Sequence, residues 1–291
     1  MKSKIVGTGI SGLVGSRITE LLKYKFEFSN VSIETGIDIR NIDSLVEPIG
    51  NSDAQIILHM AAKTDVDGCE KDKGLGVNGG AWQINVQGTK NIIDVALKKR
   101  KKIIYISTDY VFDGENCPTD GYKEEDQVNP ENWYGETKSE GEKLVRGSGL
   151  PFLIIRIAYP YRANFDLKRD FFRTIKERLE TNQPVFALTD HIFTPTLIDD
   201  IASALEFLVN NEITGIVHVV GSEFLTPYEA SVQIADVFNL NKSLIQKTTR
   251  EKFFKDRAFR PFKLAIKNVK MRNLGVFLNT FNEGLLKIKR Q

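Results

Sequence analysis

The 291-residue sequence is poor in cysteine and histidine, with two and three of them respectively. Cys69 and Cys117 are too few for a disulfide framework or a zinc site of four thiolates. No apolar run approaches the roughly 20 residues that span a bilayer, and the first residues lack the apolar core of a signal peptide. We therefore expect a cytoplasmic protein with reduced thiols, no metal and no membrane contact.

Net charge is also small, at +2, but it is unevenly distributed. Residues 242–291 contain 14 Lys and Arg against 3 Asp and Glu, so the rest of the chain is acidic. Such a segment suits nucleic acid, an anionic substrate or the acidic part of a second subunit. The absence of a nucleic-acid motif argues against the first. An anionic substrate and a second subunit both remain open, and a second copy of this chain would make a homodimer.

Apolar segments that predict strands alternate with helical periodicity through the first half of the chain. The predicted strands are residues 5–6, 31–33, 55–58, 103–106 and 152–157, and the predicted helices include residues 84–97 and 133–146. Strands that alternate with helices predict an α/β fold, in which a doubly wound parallel sheet carries helices on both faces.

The segment from Thr8 to Gly15 reads TGISGLVG and separates the first strand from the first helix. Its glycines permit a tight turn, close approach of a pyrophosphate to the backbone, and close packing of the helix on the sheet. The helix N-terminus adds free N–H groups. The segment predicts a dinucleotide site formed by Gly9, Ser11, Gly12, Leu13, Val14 and Gly15.

The second strand is expected to end near the adenosine ribose of this cofactor. Glu34 lies 25 residues beyond Gly9, where a carboxylate would bind the ribose hydroxyls and repel a 2′-phosphate. Asp38 and Ile39 are candidates for the adenine edge. The carboxylates favour NADH slightly over NADPH. Arg40 is close enough in the sequence to leave NADPH possible. Glu34 is equally consistent with a solvated loop residue that binds nothing.

A dinucleotide turn at the first strand–helix junction makes the predicted sheet Rossmann-like. We expect residues 1–158 to form the dinucleotide-binding domain, to which residues 196–220 return. The alternation weakens after residue 158, so residues 159–195 and 221–291 are expected to form a smaller, mostly helical substrate-binding region.

Tyr134 and Lys138 lie four residues apart in a predicted helix and so share one face. A free tyrosine titrates near 10, and we expect the adjacent ammonium, helped by an oxidised nicotinamide, to lower the pKa of Tyr134. Such a pair is common by chance. However, residues 107–114, STDYVFDG, follow a predicted strand and so lie at the carboxyl edge of the sheet, where ligands bind. There Thr108 could donate to the substrate oxygen that Tyr134 protonates.

Together these segments resemble the extended short-chain dehydrogenase/reductase family, and within it the dTDP-4-dehydrorhamnose reductase branch. The resemblance covers most of the chain and includes residues 8–15, 59–62, 64–70, 85–89, 107–114, 129–130, 134–138, 141–142 and 195–196. Related dehydratases carry Thr-Asp-Glu where this chain has Thr108-Asp109-Tyr110, and epimerases usually have small residues before Val-Tyr-Gly. Reduction is the chemistry that remains.

The resemblance implies that NAD(P)H reduces the C4 ketone of a nucleotide-linked 4-keto-6-deoxy sugar. It makes Thr108, Tyr134 and Lys138 the catalytic residues. It also adds to the cofactor site Met60, Ala61 and Ala62, together with Tyr134 and Lys138. The substrate contacts that it implies are Thr108, Asp109, Asn85, Tyr159 and His191.

Several departures from the family leave other functions open. Residues 71–80 form a glycine-rich insertion that is either a lid over the site or a neutral surface loop. A bulky Phe193 and a tyrosine at 159, where the family usually has tryptophan, leave the sugar undefined. The alternatives are a non-catalytic NAD(P)-binding subunit, which would resemble the regulatory partner of methionine adenosyltransferase, and a sugar-nucleotide epimerase. His59 is expected to act mainly through its neighbouring backbone.

Overall fold

The computed structural model describes residues 2–291 and is built around one six-stranded parallel sheet. The strands are β1 Ser3–Thr8, β2 Phe26–Val31, β3 Ile56–His59, β4 Lys102–Thr108, β5 Phe152–Ile157, β6 Pro160–Tyr161, β7 Val185–Leu188, β8 Thr196–Leu197, β9 Gly215–His218 and β10 Ile245–Thr248. The order in the sheet is β2-β1-β3-β4-β5-β9, and β6 pairs with β8 and β7 with β10 outside it. The predicted parallel α/β fold is confirmed.

Helices connect these strands on both sides of the sheet. They are α1 Leu13–Leu22, α2 Asp43–Leu45, α3 Val66–Asp72, α4 Gly80–Trp82, α5 Gly88–Leu97, α6 Trp133–Gly147, α7 Phe171–Glu180, α8 Ile198–Asn210, α9 Pro227–Phe238, α10 Arg250–Phe253, α11 Val269–Asn273 and α12 Phe281–Lys289. The helix predicted at residues 133–146 is confirmed, and Asn132 caps it by accepting a hydrogen bond from the Gly135 N–H.

Two apolar clusters cover the two faces of the sheet. Successive residues of β4 divide between them: Ile104 packs with α1 and α8, whereas Ile103 and Tyr105 pack with α5 and α6. This division follows from the two-residue period of a strand, and it explains why the strands read as continuous apolar runs. A third apolar cluster joins α7, α9 and α12 around Phe172 and Phe281.

Two predicted elements are wrong in their bounds. The second strand lies at Phe26–Val31 and not at residues 31–33, because Ser32 starts a 3₁₀ turn that ends at Gly36 in the left-handed conformation (φ 79°). The helix predicted from residue 84 is a π-helical turn up to Gln87. There the hydroxyl of Thr89 donates to a backbone carbonyl and competes with regular helix geometry.

The basic C-terminal segment contacts acidic residues of the same chain. Arg260 pairs with Asp67 at 2.5 Å, Lys267 pairs with Asp120, and the Lys287 amine lies 3.8 Å from a carboxylate oxygen of Asp200. Part of the charge asymmetry seen in the sequence is therefore neutralised within the fold. The division of the chain into a cofactor region and a substrate region stays a prediction.

Within residues 2–291, none of the helices has the length and apolar character that crossing a bilayer requires. The same part of the chain contains no group of three or more His, Cys, Asp or Glu side chains placed to hold a metal ion.

Candidate active site

A cleft of about 800 Å³ runs along the carboxyl edge of the parallel sheet. Its walls come from the segments that follow β1, β2, β3, β4 and β5, and from residues 168–171 before and at the start of α7. Loops at this edge of a parallel sheet diverge and leave a crevice, so the location is the one that the fold favours for a ligand.

The cleft brings together most of the residues that the sequence singled out. They are Gly9, Ser11, Gly12, Leu13, Val14, Gly15, Glu34, Asp38, Ile39, Met60, Ala61, Ala62, Thr108, Asp109, Tyr134, Lys138 and Tyr159. Asn85 and His191, which we expected to contact substrate, are not among the lining residues.

The three glycines of the first turn have different roles. A Cβ atom on Gly9, whose φ is 67°, would lie 2.6 Å from the backbone nitrogen of Ala61, and one on Gly15 would lie 2.4 Å from the Cα of Ile10. Both glycines are therefore required by the packing of the chain itself. Gly12 is the N-cap of α1 and has no side chain to bond the first N–H groups of the helix. Those groups line an open cleft, so this turn fits a phosphate.

The part of the cleft beside the loop after β2, where we expect the adenosine ribose, carries charges of both signs. Glu34 is exposed in the 3₁₀ turn after β2, and Asp38 forms an ion pair with Arg40, whose Nε lies 2.9 and 3.0 Å from the two carboxylate oxygens. The hydrogen bonds from Arg40 hold the pKa of Asp38 below its ordinary value. All three residues line the cleft, so both the NADH-favouring and the NADPH-favouring groups are in place.

Tyr134 and Lys138 lie on the face of α6 that borders the cleft, and both are buried. The Lys138 amine donates to the carbonyl of Ile106 at 2.8 Å and lies 3.9 Å from the centre of the Tyr105 ring. Burial lowers the pKa of Lys138 to about 7, and Glu142 opposes this effect.

The chain without ligands does not show the lowered pKa that we expect for Tyr134 beside Lys138 and an oxidised nicotinamide. Burial raises the pKa of this phenol well above its ordinary value, and the hydroxyl of Thr108 only partly opposes the effect. The cause is the dry environment of the side chain, which is 9% exposed and disfavours the phenolate.

Thr108 and Asp109 form a second polar group at the end of β4. The Thr108 hydroxyl donates to one Asp109 carboxylate oxygen at 2.9 Å, and the other oxygen, Oδ2, is buried without a hydrogen-bond partner among the described residues. Burial raises the pKa of Asp109 to about 7. Ser107, which also lines the cleft, has an unpartnered hydroxyl in that same part of the chain. These unsatisfied atoms mark a polar ligand site.

Asn85 and His191 lie behind the walls of the cleft. The side-chain oxygen of Asn85 accepts a hydrogen bond from the Lys63 N–H at 2.8 Å, and its side-chain nitrogen donates to the Thr137 hydroxyl at 2.9 Å. His191 lies between the carbonyl of Pro261 (2.9 Å) and the hydroxyl of Tyr159 (3.1 Å). Both side chains bond to other residues of the chain and neither lines the cleft, so the expected substrate contacts stay predictions.

The sequence did not single out several residues of the cleft. Tyr110, Lys168, Arg169 and Phe171 line it together with Tyr159. The hydroxyls of Tyr110 and Tyr159 are 3.2 Å apart, and Tyr159 has a left-handed backbone (φ 39°). Among these residues, only Tyr110 had a sequence signal for its place in the cleft, because it belongs to the STDY run that follows β4. None of residues 71–80 lines the cleft, so the structure gives the predicted lid no contact with it.

Comparisons with known proteins agree with this geometry. The family model of the RmlD substrate binding domain matches residues 3–290. The chain belongs to this family. The crystal structure of dTDP-4-dehydrorhamnose reductase from Bacillus anthracis in complex with NADP is similar to it, with a TM-score of 0.89, 26% identity, and coverage of 100% of this chain and 99% of that one.

Two curated relatives show how far functions diverge in this family. Methionine adenosyltransferase 2 subunit beta of Mus musculus is 30% identical over 97% of this chain and 86% of its own length. The probable low-salt glycan biosynthesis reductase Agl14 of Haloferax volcanii is 29% identical over 82% of this chain and 81% of its own length. The family therefore includes reductases and a subunit of a different enzyme, and at these identities the relatives do not establish one substrate.

Proposed function

We propose that this protein uses NAD(P)H to reduce the C4 ketone of a nucleotide-linked 4-keto-6-deoxy sugar, as a dTDP-4-dehydrorhamnose reductase does. The observation that carries the proposal is the cleft itself, since it joins an uncapped helix N-terminus at Gly12 to a buried Thr108, Tyr134 and Lys138. The similarity to a reductase solved with NADP supports the same assignment.

The cofactor would be held by the turn at residues 9–15 and by the charged residues after β2. When bound, the nicotinamide supplies the hydride. The N–H groups at the start of α1 would bind the phosphates, and Glu34 or Arg40 would meet the adenosine ribose.

Tyr134 would protonate the ketone oxygen. The phenol carries its proton at neutral pH, because its ordinary pKa of 10 already lies well above that pH and burial raises it further. Once the proton has left, a phenolate remains in a dry site, and the ammonium form of Lys138 on the same helix face stabilises it. The pKa of Lys138, about 7, allows this amine to gain a proton readily near neutral pH.

Thr108 would donate a second hydrogen bond to the same oxygen. Its hydroxyl now donates to Asp109, and a substrate oxygen would compete for that proton. The free oxygen of Asp109 would face the sugar hydroxyls, and the ring of Tyr159 would pack against the sugar.

The test measures NADPH and NADH oxidation with a panel of nucleotide-linked 4-keto sugars that includes dTDP-4-dehydrorhamnose. We expect ketone-dependent oxidation and a product reduced at C4. Cofactor binding without oxidation of any member of the panel would contradict the proposal.

A non-catalytic subunit is the second candidate, because methionine adenosyltransferase 2 subunit beta of Mus musculus aligns with 97% of this chain. This candidate predicts tight NADP(H) binding, no turnover with any ketone of the panel, and a change in the kinetics of a methionine adenosyltransferase on mixing. The reductase predicts turnover by the chain alone.

A further inference from the structure

A continuous chain of buried hydrogen bonds lies beneath the cleft. Its side chains are 1% exposed or less and are those of Thr8, His59, Thr89, Asn85 and Thr137. It starts beside the glycine turn, since Thr8 precedes Gly9, and it ends at the backbone carbonyl of Tyr134. None of these five side chains lines the cleft.

Each contact in this chain is of ordinary hydrogen-bond length. Thr8 Oγ1 is 2.7 Å from His59 Nδ1, and His59 Nε2 is 3.0 Å from Thr89 Oγ1. Thr89 Oγ1 is 2.7 Å from the backbone carbonyl oxygen of Asn85, and the chain continues from there through the side-chain amide of the same residue. Asn85 Nδ2 donates to Thr137 Oγ1 at 2.9 Å, and Thr137 Oγ1 donates to the Tyr134 carbonyl at 2.9 Å.

The donors and acceptors determine which nitrogen of His59 carries the proton. A carbonyl oxygen only accepts, so we assign the single proton of the Thr89 hydroxyl to its 2.7 Å contact with the backbone carbonyl of Asn85. With this assignment Thr89 Oγ1 accepts from His59, and the proton of the ring lies on Nε2. Nδ1 is bare and accepts from the Thr8 hydroxyl, which in turn accepts from the Ala61 N–H at 3.2 Å.

The other two histidines have the opposite tautomer. His191 Nδ1 lies 2.9 Å from the Pro261 carbonyl, and His218 Nδ1 lies 3.0 Å from the Lys267 carbonyl. Both rings must therefore carry their proton on Nδ1. With three histidines in the sequence, His59 is the one that the hydrogen bonds fix as Nε2–H.

The two ends of the chain lie at the two functional parts of the cleft. At one end, the Thr8 hydroxyl holds the Ala61 N–H, and the backbone of Ala61 packs so closely on Gly9 that a Cβ there would approach it to 2.6 Å. At the other end, Asn85 and Thr137 hold the first turn of α6, which carries Tyr134.

We propose that His59 is a positioning residue, which as its Nε2–H tautomer fixes the spacing between the cofactor turn and the helix that carries Tyr134. The inference rests on the proposed function for its effect on turnover, but not for its effect on cofactor binding. His59 stays neutral, because burial lowers its pKa to about 3, so the direction of every hydrogen bond in the chain is constant at neutral pH.

The first test is nitrogen NMR of the full chain with ¹⁵N-labelled histidine and no added ligand. We expect two Nδ1–H rings and one Nε2–H ring, with no titration from about pH 5 to about pH 8. The Nε2–H signals are expected to disappear in His59→Asn. A titrating His59, or an Nδ1–H form of it, would overturn the inference without any need for activity.

The second test uses variants that break the chain at different points. In His59→Gln the side-chain amide can still donate near the position of Nε2, in His59→Asn it can still accept near Nδ1, and His59→Phe keeps the ring but neither function. Thr137→Val removes the far end and leaves the cleft wall unchanged. We measure the NADPH dissociation constant by fluorescence titration, kcat with dTDP-4-dehydrorhamnose, and Tm.

We expect Thr137→Val to weaken NADPH binding several-fold and His59→Phe to weaken it about tenfold, the scale of one lost buried hydrogen bond, with smaller losses in His59→Gln and His59→Asn. The kcat should fall in the same order. A lower Tm with an unchanged dissociation constant in Thr137→Val would reduce His59 to a purely structural role. If the parent shows no turnover but the affinities shift as expected, the proposed reaction fails and the positioning role stands.

Discussion

The two ends of the cleft, which we propose bind the cofactor and the substrate, are built from different groups. The cofactor end uses backbone N–H groups and three glycines in one continuous turn. The substrate end uses buried or half-buried aromatic and titratable side chains from distant segments, Tyr110, Tyr159 and Phe171 among them. The first site depends on local geometry, and the second depends on burial. Each prediction below affects one end and leaves the other intact.

The largest effect on activity is expected from Tyr134→Phe at the substrate end. Loss of the proton donor should lower kcat by about 10²–10⁴-fold, while NADPH affinity changes little because the ring remains. Steady-state kinetics and fluorescence titration measure the two quantities. Tyr24→Phe is the matched control, since Tyr24 is 75% exposed and does not line the cleft. An unchanged kcat in Tyr134→Phe would remove Tyr134 from the proton-donor role.

Asp109 should make the stability of the ligand-free chain depend on pH. Its pKa in the fold, about 7, lies above its ordinary value of 3.8, so the protonated carboxyl stabilises the fold below pH 3.8 and this contribution is lost as the pH rises to about 7. Relative to Asp109→Asn, the parent should lose up to about 4 kcal/mol of unfolding free energy across that range. Urea denaturation at several pH values measures it, and parallel curves for parent and variant would contradict the assignment.

Gly12→Asp tests the cofactor end with only a small adjustment of the fold. Gly12 has φ −72° and ψ −179°, which any residue adopts, but a Cβ atom there would lie 3.3 Å from the backbone oxygen of Gly9. Because aspartate is also a favoured N-cap, Tm should change little, and Gly12→Asn carries the same Cβ contact. The new carboxylate would bind the N–H groups intended for phosphate and repel it, so NADPH affinity should fall about 100-fold, equivalent to losing one or two hydrogen bonds to a charged group. Gly12→Asn is the neutral control. Equal NADPH affinity in Gly12→Asp and the parent would show that phosphate binds elsewhere.

The smallest effect is expected from Tyr159→Phe. This change removes the hydroxyl that joins Tyr110 to His191 but keeps the ring against the cleft. The KM for the sugar nucleotide should rise about fivefold, as for one net hydrogen bond, and the NADPH dissociation constant should not change. If the NADPH dissociation constant changed and the KM for the sugar nucleotide did not, Tyr159 would act on the cofactor end, which would contradict the separation of the two ends.

The same contrast explains what the sequence could predict. The residues of the cofactor turn are contiguous, and a strand–glycine–helix pattern follows from local chain geometry, so Gly9, Gly12 and Gly15 were predicted together with their role in the fold. The parallel sheet followed from the alternation of apolar segments with helices. Lys168 and Arg169 were missed because their loop has no periodicity that would place it at the cleft.

Side-chain direction and burial were also beyond the reach of the sequence. Nothing in the spacing of Asn85 or His191 reveals that their side chains turn away from the cleft to bond Lys63, Thr137, Pro261 and Tyr159. The pKa of Tyr134 was predicted from its neighbour Lys138, but the dominant cause is burial, which exists only in the folded chain.

Isotope transfer tests the central claim most directly. The chain is incubated with dTDP-4-dehydrorhamnose and NADPH that is fully deuterated at C4 of the nicotinamide, and the sugar product is analysed by mass spectrometry and NMR. The account predicts one deuterium per product molecule, at C4 of the sugar. A product without deuterium, or deuterium at another carbon, would contradict it.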